Sequence, residues 1–294
     1  MKKAHWEKNL VELIRRTSTD LPADVEQAIR KGLRREKKGS HAHDFLSMML
    51  ENAAMARRDS VPLCQDTGTL TFRFTVPSGF DTNGLVSLTR NAVSRATRLG
   101  YLRQNTIDSV SGEPYVTNVA HASPMMEFLQ GARKTVDARL IMKGGGCENV
   151  GQQYSLPETT LGANRDMEGV RRCILDAVWK AQGRGCAPGV IGVCIGGDRA
   201  KGYAYAKEQF LRKLGERSDV KVLARLEERL MRDIRRMEIG PMGLGGKTTA
   251  LDVKMGALSR LPASFFVSIS YMCWAFRRRG VLLGPEGGVH RWLY

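Results

Sequence analysis

The segment VPLCQDTGTLTFRFTV, residues 61–76, marks the point where the chain changes character. Its first nine residues, Val61 to Thr69, set a thiol (Cys64), an amide (Gln65), a carboxylate (Asp66) and hydroxyls side by side on a short turn punctuated by Pro62 and Gly68. A packed core has no use for that mixture. Beyond the turn, Leu70, Phe72, Phe74 and Val76 alternate with Thr71, Arg73 and Thr75, the period-two pattern of a half-buried strand. Cys64 therefore sits just before a strand. A thiol there can be a small buried residue, a nucleophile or a metal ligand, and the turn alone leaves all three open.

Upstream of this turn, residues 1–60 read as helices. Trp6, Leu10, Leu13 and Ile14 recur at helical spacing, and Asp20 and Pro22 offer a cap and first turn to a segment with Val25, Ala28, Ile29 and Leu33 on one face. A third helix carries Phe45, Leu46, Met49, Leu50, Ala53 and Ala54. These are core faces and carry no chemistry.

Downstream, a helix over about 84–101 places Arg103 on the loop that follows it. TVDARLIM is a short strand that empties into KGGGCEN, Lys143 to Asn149. Three consecutive glycines let a backbone take unusual dihedrals and approach a ligand closely, although a tight surface turn would use them too. A helix with Val170, Cys173, Ile174, Ala177, Val178 and Ala181 on its apolar face follows. The loop GRGCAP then carries Cys186 into an apolar strand that contains Cys194. Two helices fill 200–238. The segment GPMGLGGKTT after them fails as a phosphate-binding loop, because Pro241 stands where the first glycine is required and a helix, not a strand, precedes it. TALDVKM and SFFVSISYMCWAFRRR read as strands, the second delivering Cys273 at its far end beside a basic cluster.

The 294 residues suffice for a large core, and their 42% hydrophobic content is ordinary for a globular enzyme. No apolar run reaches eighteen residues, and the amphipathic N-terminus lacks a signal-peptide pattern, so the expectation is a soluble, cytoplasmic protein with no membrane partner. Six cysteines are too sparse for a disulfide scaffold and show no zinc-ribbon spacing. The net charge of +16 admits nucleic acid, an anionic small substrate or an acidic partner subunit. Because the basic residues are spread along helices, as solvated faces are, no nucleic acid is expected. The fold class expected is α+β, mixed helices and strands in one domain over 1–294, with a helical lead-in (1–60) and a core over 61–280.

Cys64, Cys186 and Cys273 share a property that Cys147, Cys173 and Cys194 are read as lacking: each lies at the junction of a loop and a strand, in a polar or glycine-rich setting. Three thiolates are one short of a full set for a four-iron cluster, which leaves one iron open as a Lewis acid. Three unrelated cysteines would account for the irregular spacing equally well.

PLCQDTGT, Leu102-Arg103, KGGGCEN, the GCAP loop with IGVCIGG, GPMGLGGKTT and SYMCWAFRR occur in the order found in class I iron-sulfur fumarate hydratases and the related L(+)-tartrate dehydratases. Over about residues 45–279 the chain resembles the alpha subunit, or N-terminal catalytic domain, of that family. The resemblance implies that Cys64, Cys186 and Cys273 hold a 4Fe-4S cluster with one iron not ligated by cysteine. It also implies that Gln65, Asp66, Arg103 and the amides of Gly145 and Gly146 contact a C4 dicarboxylate, with Asp66 handling the proton of the entering or departing hydroxyl. The activity implied is reversible hydration of fumarate to L-malate; alternatives are an L(+)-tartrate dehydratase or mesaconate hydratase alpha subunit and, more distantly, a non-catalytic basic cluster or nucleic-acid-binding protein. The group that takes the carbon-bound proton belongs, by the same resemblance, to a beta subunit, so the chain is expected to be inactive alone and to work in a higher oligomer of alpha-beta pairs. One departure stands out: relatives commonly carry serine after the triple glycine, and here it is Cys147, either a fourth thiol completing the coordination or a replacement for a hydroxyl contact.

Overall fold

A computed structural model describes residues 3–294. Three helices lead, α1 (Lys3–Thr19), α2 (Ala23–Leu33) and α3 (His41–Asp59), followed by β1 (Thr69–Val76), α4 (Thr82–Arg98), β2 (Met125–Gln130) and β3 (Val136–Lys143). Next come α5 (Gly145–Asn149), β4 (Gln152–Ser155), α6 (Met167–Ala181), β5 (Gly189–Ile195), α7 (Arg199–Glu208) and α8 (Lys221–Arg236). Strands β6 (Ala250–Ala257), β7 (Phe266–Met272), β8 (Arg277–Leu283) and β9 (Val289–Leu293) complete the described residues. Helices and mixed sheets make this an α+β fold, as expected.

The elements gather into two compact units. One comprises the chain up to Ala23, Glu51–Gly145 and Ala275–Tyr294; the other comprises Asp24–Leu50 and Gly146–Trp274. The first unit is built on a five-stranded sheet of order β2-β1-β3-β8-β9, in which only β1 and β2 run parallel. Residues of β1 alternate strictly between half-buried and buried, which puts Leu70, Phe72, Phe74 and Val76 into a core shared with Trp6, Leu10, Leu13 and Ile14 of α1 and Leu85, Leu88, Ala92 and Val93 of α4. Helix α4 begins where the Asp81 carboxylate accepts from the Gly84 amide, a side-chain cap that serves one of the orphan donors of the first turn.

The second unit is built on a four-stranded sheet of order β4-β7-β5-β6. Every residue of β5 is buried, as a central strand flanked by parallel β6 and antiparallel β7 requires. Its core joins Val170, Cys173, Ile174, Ala177 and Val178 of α6 to Leu223, Leu226, Leu230 and Ile234 of α8 over Ile191, Val253 and Ile269. Asp166 and Asp198 cap α6 and α7 through the amides of Gly169 and Lys201.

Several details differ from the sequence reading. SFFVSISYMCWAFRRR is two strands, not one: β7 ends at Met272, and the arginines belong to β8 in the sheet of the other unit. The triple glycine opens a helical turn, α5, and none of Gly144, Gly145 and Gly146 has a positive φ. Ala54 is exposed on α3. Asp20 is committed to arginines, accepting from Arg57 Nε at 2.5 Å and Arg279 Nη2 at 2.7 Å. Strands β2, β4 and β9 were not anticipated: β2 and β9 lie at sheet edges with largely exposed residues, and β4 has four residues, too few to show a period.

Candidate active site

In the first unit, the turn before β1 is drawn against the loop after α4 by a network of polar contacts. The Thr67 hydroxyl donates to the Arg103 carbonyl at 2.6 Å, and buried Asn118 donates to the same carbonyl at 2.9 Å while accepting from the Asn105 amide at 3.1 Å. Asp66 stands at the centre. Its Oδ1 accepts from the Gly68 amide and from Asn105 Nδ2, both at 2.8 Å, and its Oδ2 accepts from the Gly145 amide at 2.7 Å. Three donors fix the plane of one carboxylate. Gly144 is glycine for reasons of space: a Cβ there would lie 2.8 Å from Asp66 Oδ2. Close approach, not unusual dihedrals, is what the glycines supply.

Around Asp66, Gln65 and Arg103 are exposed and Cys64 is half-buried with a free thiol. Gly145 and Gly146 are exposed at the start of α5, but the Gly145 amide is given to Asp66. Arg277, on β8 opposite Met142, is 1% exposed, and its Nε and Nη1 have no hydrogen-bond partner among the described residues. Its Nη2 lies 4.0 Å from where a Cβ on Gly144 would be. A buried guanidinium with two unsatisfied donors calls for an anion, since leaving such groups unmet is costly.

In the second unit, Cys186 and Cys273 come together. Cys186 is exposed with φ +55°, a left-handed conformation that costs a non-glycine residue about 1–2 kcal/mol. Its carbonyl accepts from the Trp274 amide at 3.2 Å, which ties the GCAP loop to the residue after Cys273. Tyr271 on β7 adjoins both. It lies against Gly185 and Gly189, where an added Cβ would come within 2.5 Å and 2.2 Å of its ring. Burial raises the Tyr271 hydroxyl well above its ordinary range, and the sulfurs of Cys273, Cys147 and Cys186 push it further in the same direction. Cys147 is buried within α5.

The sequence-predicted residues thus divide. Cys64, Gln65, Asp66, Arg103 and Gly145 belong to the first unit, and Gly146, Cys186 and Cys273 to the second. Among the described residues, no three His, Cys, Asp or Glu side chains are grouped to hold a single metal ion. The donors at strand ends are thiols, without a mixed set of imidazole and carboxylate, and thiols are what an iron-sulfur cluster takes, each on a different iron. Cys173 and Cys194 are excluded: both are fully buried, and burial pushes each thiol up to about 12. Sequence reasoning missed Asn105, Arg277 and Tyr271. Asn105, two residues after Arg103, was open to the same loop argument, whereas Tyr271 looks like any strand aromatic and Arg277 like one of a run of surface arginines.

The first unit of this α+β protein holds a carboxylate clamped by amide donors with a buried guanidinium near it, and the second ties the Cys186 loop to the residue after Cys273. The chain belongs to the fumarate hydratase (Fumerase) family, whose model matches residues 7–281. It is 46% identical over 290 residues to a Geobacillus stearothermophilus protein provisionally named fumarate hydratase class I, covering 97% of this chain and 56% of that one. The chain therefore spans about half the length of that relative. It is also 32% identical to a Methanocaldococcus jannaschii protein provisionally named L(+)-tartrate dehydratase subunit alpha (92% of this chain, 94% of the relative). Against the L(+)-tartrate dehydratase subunit alpha of Escherichia coli K12 the identity is 29%, over 90% of this chain and 86% of the relative. No helix among the described residues is long and apolar enough to cross a membrane.

Proposed function

We propose that this chain is the cluster- and substrate-binding subunit of an iron-sulfur hydro-lyase that adds water reversibly to fumarate, giving L-malate. The observation that carries the proposal is Asp66: next to Cys64 in sequence, it has its carboxylate oriented by three donors. Cys64, Cys186 and Cys273 would hold a 4Fe-4S cluster, with the two units acting as one hydro-lyase domain. When bound, that cluster supplies a Lewis-acidic iron without a cysteine ligand.

The chain's own residues do the rest. Arg103 is exposed on a loop anchored through its own carbonyl, so its fork is available to one substrate carboxylate in bidentate fashion. Arg277 supplies a second cation, already desolvated, beside Asp66. Two carboxylates on one C4 skeleton need two such cations. Gln65 offers an amide donor and acceptor to the substrate from the same turn, and the exposed backbone at Gly146 offers an amide. Asp66 handles the proton of the entering or departing hydroxyl, a role in which its fixed plane aligns the accepting oxygen. The proton on the neighbouring carbon is left to a beta subunit, which the alpha-subunit names of two relatives support.

A second reading, the alpha subunit of an L(+)-tartrate dehydratase, is favoured by one fact: the chain matches alpha subunits of that name over nearly their whole length. Anaerobic co-expression with a candidate beta subunit, followed by assays on fumarate, L-malate, L-tartrate and mesaconate, separates the two. Fumarate hydration that requires both chains is expected. Turnover by the single reconstituted chain overturns the beta-subunit part, and turnover of L-tartrate alone overturns the substrate. Cys147→Ser is expected to keep both the visible cluster absorption and activity; loss of the absorption would make Cys147 a ligand.

A further inference from the structure

We propose that the second unit carries a separate binding site for a small multivalent oxyanion, in the cavity that α2 and α8 line with Lys31, Arg35, Arg232 and Arg235. The cavity has a volume of about 430 Å3, within the range of small-molecule sites. Its walls come entirely from the second unit: residues of α2 from Asp24 to Gly32 with Arg35 beyond the helix, the loop before α8, α8 itself, and residues from Thr248 to Asp252 at the start of β6.

Charge is what sets it apart. Five cations line it (Lys31, Arg35, Arg217, Arg232 and Arg235) against three acids (Asp24, Glu228 and Asp252). Two of those acids are already engaged. Asp252 is paired with Lys254 at 2.9 Å and Arg217 at 2.8 Å, and Asp24 accepts from the Leu214 amide at 2.7 Å. The side chains of Lys31, Arg35, Arg232 and Arg235 enter no ion pair among the described residues, whereas Arg171, Arg212 and Arg217 of the same unit are each paired. Asp24 and Glu228 remain to offset the four cations, so positive charge is in excess.

An ordinary solvated basic face spreads its charges; this one lines a concavity with them and sets Arg235 against Arg35. Burial, then Arg235 and Arg34, hold the Arg35 guanidinium below the usual arginine range despite Glu36 nearby. Such repulsion is relieved by an anion with several charged oxygens, which can take a fork from each arginine. Ala28, Leu214 and Met231 give the cavity an apolar floor. The ligand chemistry is a group of oxygens carrying two or more negative charges, supplied equally by a diphosphate, a nucleotide or a tricarboxylate. Thr248 of the GGKTT segment reaches the wall, but the Lys247 N–H and the Thr248 hydroxyl already donate to Glu36, at 3.2 Å and 2.5 Å.

The test is isothermal titration of the full chain with inorganic pyrophosphate at low and moderate salt, with ATP and citrate as parallel arms. Saturable binding near one equivalent is expected, weakened roughly tenfold or more in the Arg35→Gln/Arg235→Gln double variant. Arg98→Gln, an exposed arginine of the other unit, is expected to leave the affinity unchanged. Tighter binding of ATP assigns the floor to a base and tighter binding of citrate assigns the cations to carboxylates; either supports the site. Absence of saturable binding overturns it, as does equal weakening by Arg98→Gln, which would reduce the effect to general attraction by a +16 chain. Removing a repelling pair is not expected to unfold the unit, and thermal unfolding checks this. Should the double variant fail to fold, Lys31→Gln/Arg232→Gln carries the same expectation.

Discussion

Asp66→Asn probes the centre of the proposed site. The change keeps size and shape and replaces one acceptor oxygen by a donor. If the amide oxygen takes the place of Oδ1, it keeps the bonds from the Gly68 amide and Asn105 Nδ2, and the new NH2 faces the Gly145 N–H that now gives 2.7 Å to Oδ2. The bond lost is charge-assisted and worth about 1.5–3 kcal/mol, and the two retained fall to neutral strength, roughly half. A total loss of roughly 3–6 kcal/mol follows for the structure that joins the turn before β1 to the start of α5. Loss of proton handling adds a fall of roughly 10²–10⁴ in kcat. Urea unfolding measures the first, and fumarate hydration by the cluster-reconstituted enzyme with its beta subunit measures the second. Visible absorption of the cluster is expected to be unchanged. An unchanged unfolding midpoint would refute the hydrogen-bond reasoning, near wild-type kcat would refute the proton role, and loss of cluster absorption would give Asp66 to the cluster instead of the substrate.

Arg277→Lys exchanges the buried fork for a point charge, and KM for fumarate is expected to rise roughly tenfold with little change in kcat, the pattern of lost ground-state binding; unchanged KM removes Arg277 from the substrate. Burial raises the Asp252 carboxyl, but Lys254, the Gly215 amide and Arg217 together outweigh it and hold the group below the ordinary carboxylate range. A lowered folded pKa gives stability that is full above the unfolded value, about 3.9, and is lost as pH falls below it. Asp252→Asn should therefore flatten the acid limb of a stability-pH curve and cost about 3–5 kcal/mol at pH 7, because it leaves the Lys254 ammonium fully buried without that partner; an unaltered acid limb counts against the pairing. After chelation strips the cluster, iodoacetamide at pH 8 is expected to label exposed Cys186 well before Cys173 and Cys194, whose thiols burial pushes up to about 12. Mass spectrometry reads the order, and equal labelling of Cys194 would mean that β5 opens readily.

Local pattern carried much of this protein. Period and punctuation in the sequence alone determined the three leading helices, the alternation of β1, the helix before Arg103 and the burial of Cys173 and Cys194, because each depends on neighbours within a few residues. Residue chemistry at one turn was enough to single out Cys64, Gln65 and Asp66. Tertiary structure alone decided that SYMCWAFRRR is cut between two sheets, that Asp66 is held by Asn105 and by the Gly145 amide, 79 residues away, and that Arg277 is buried rather than one more surface arginine. It alone tied the Cys186 loop to Trp274, 88 residues on, and brought cations of α2 and α8 to one cavity. The reason is physical: a carboxylate's donors, a cation's burial and a thiol's neighbours are set by chain segments far apart in sequence, and no local period records which of them will meet.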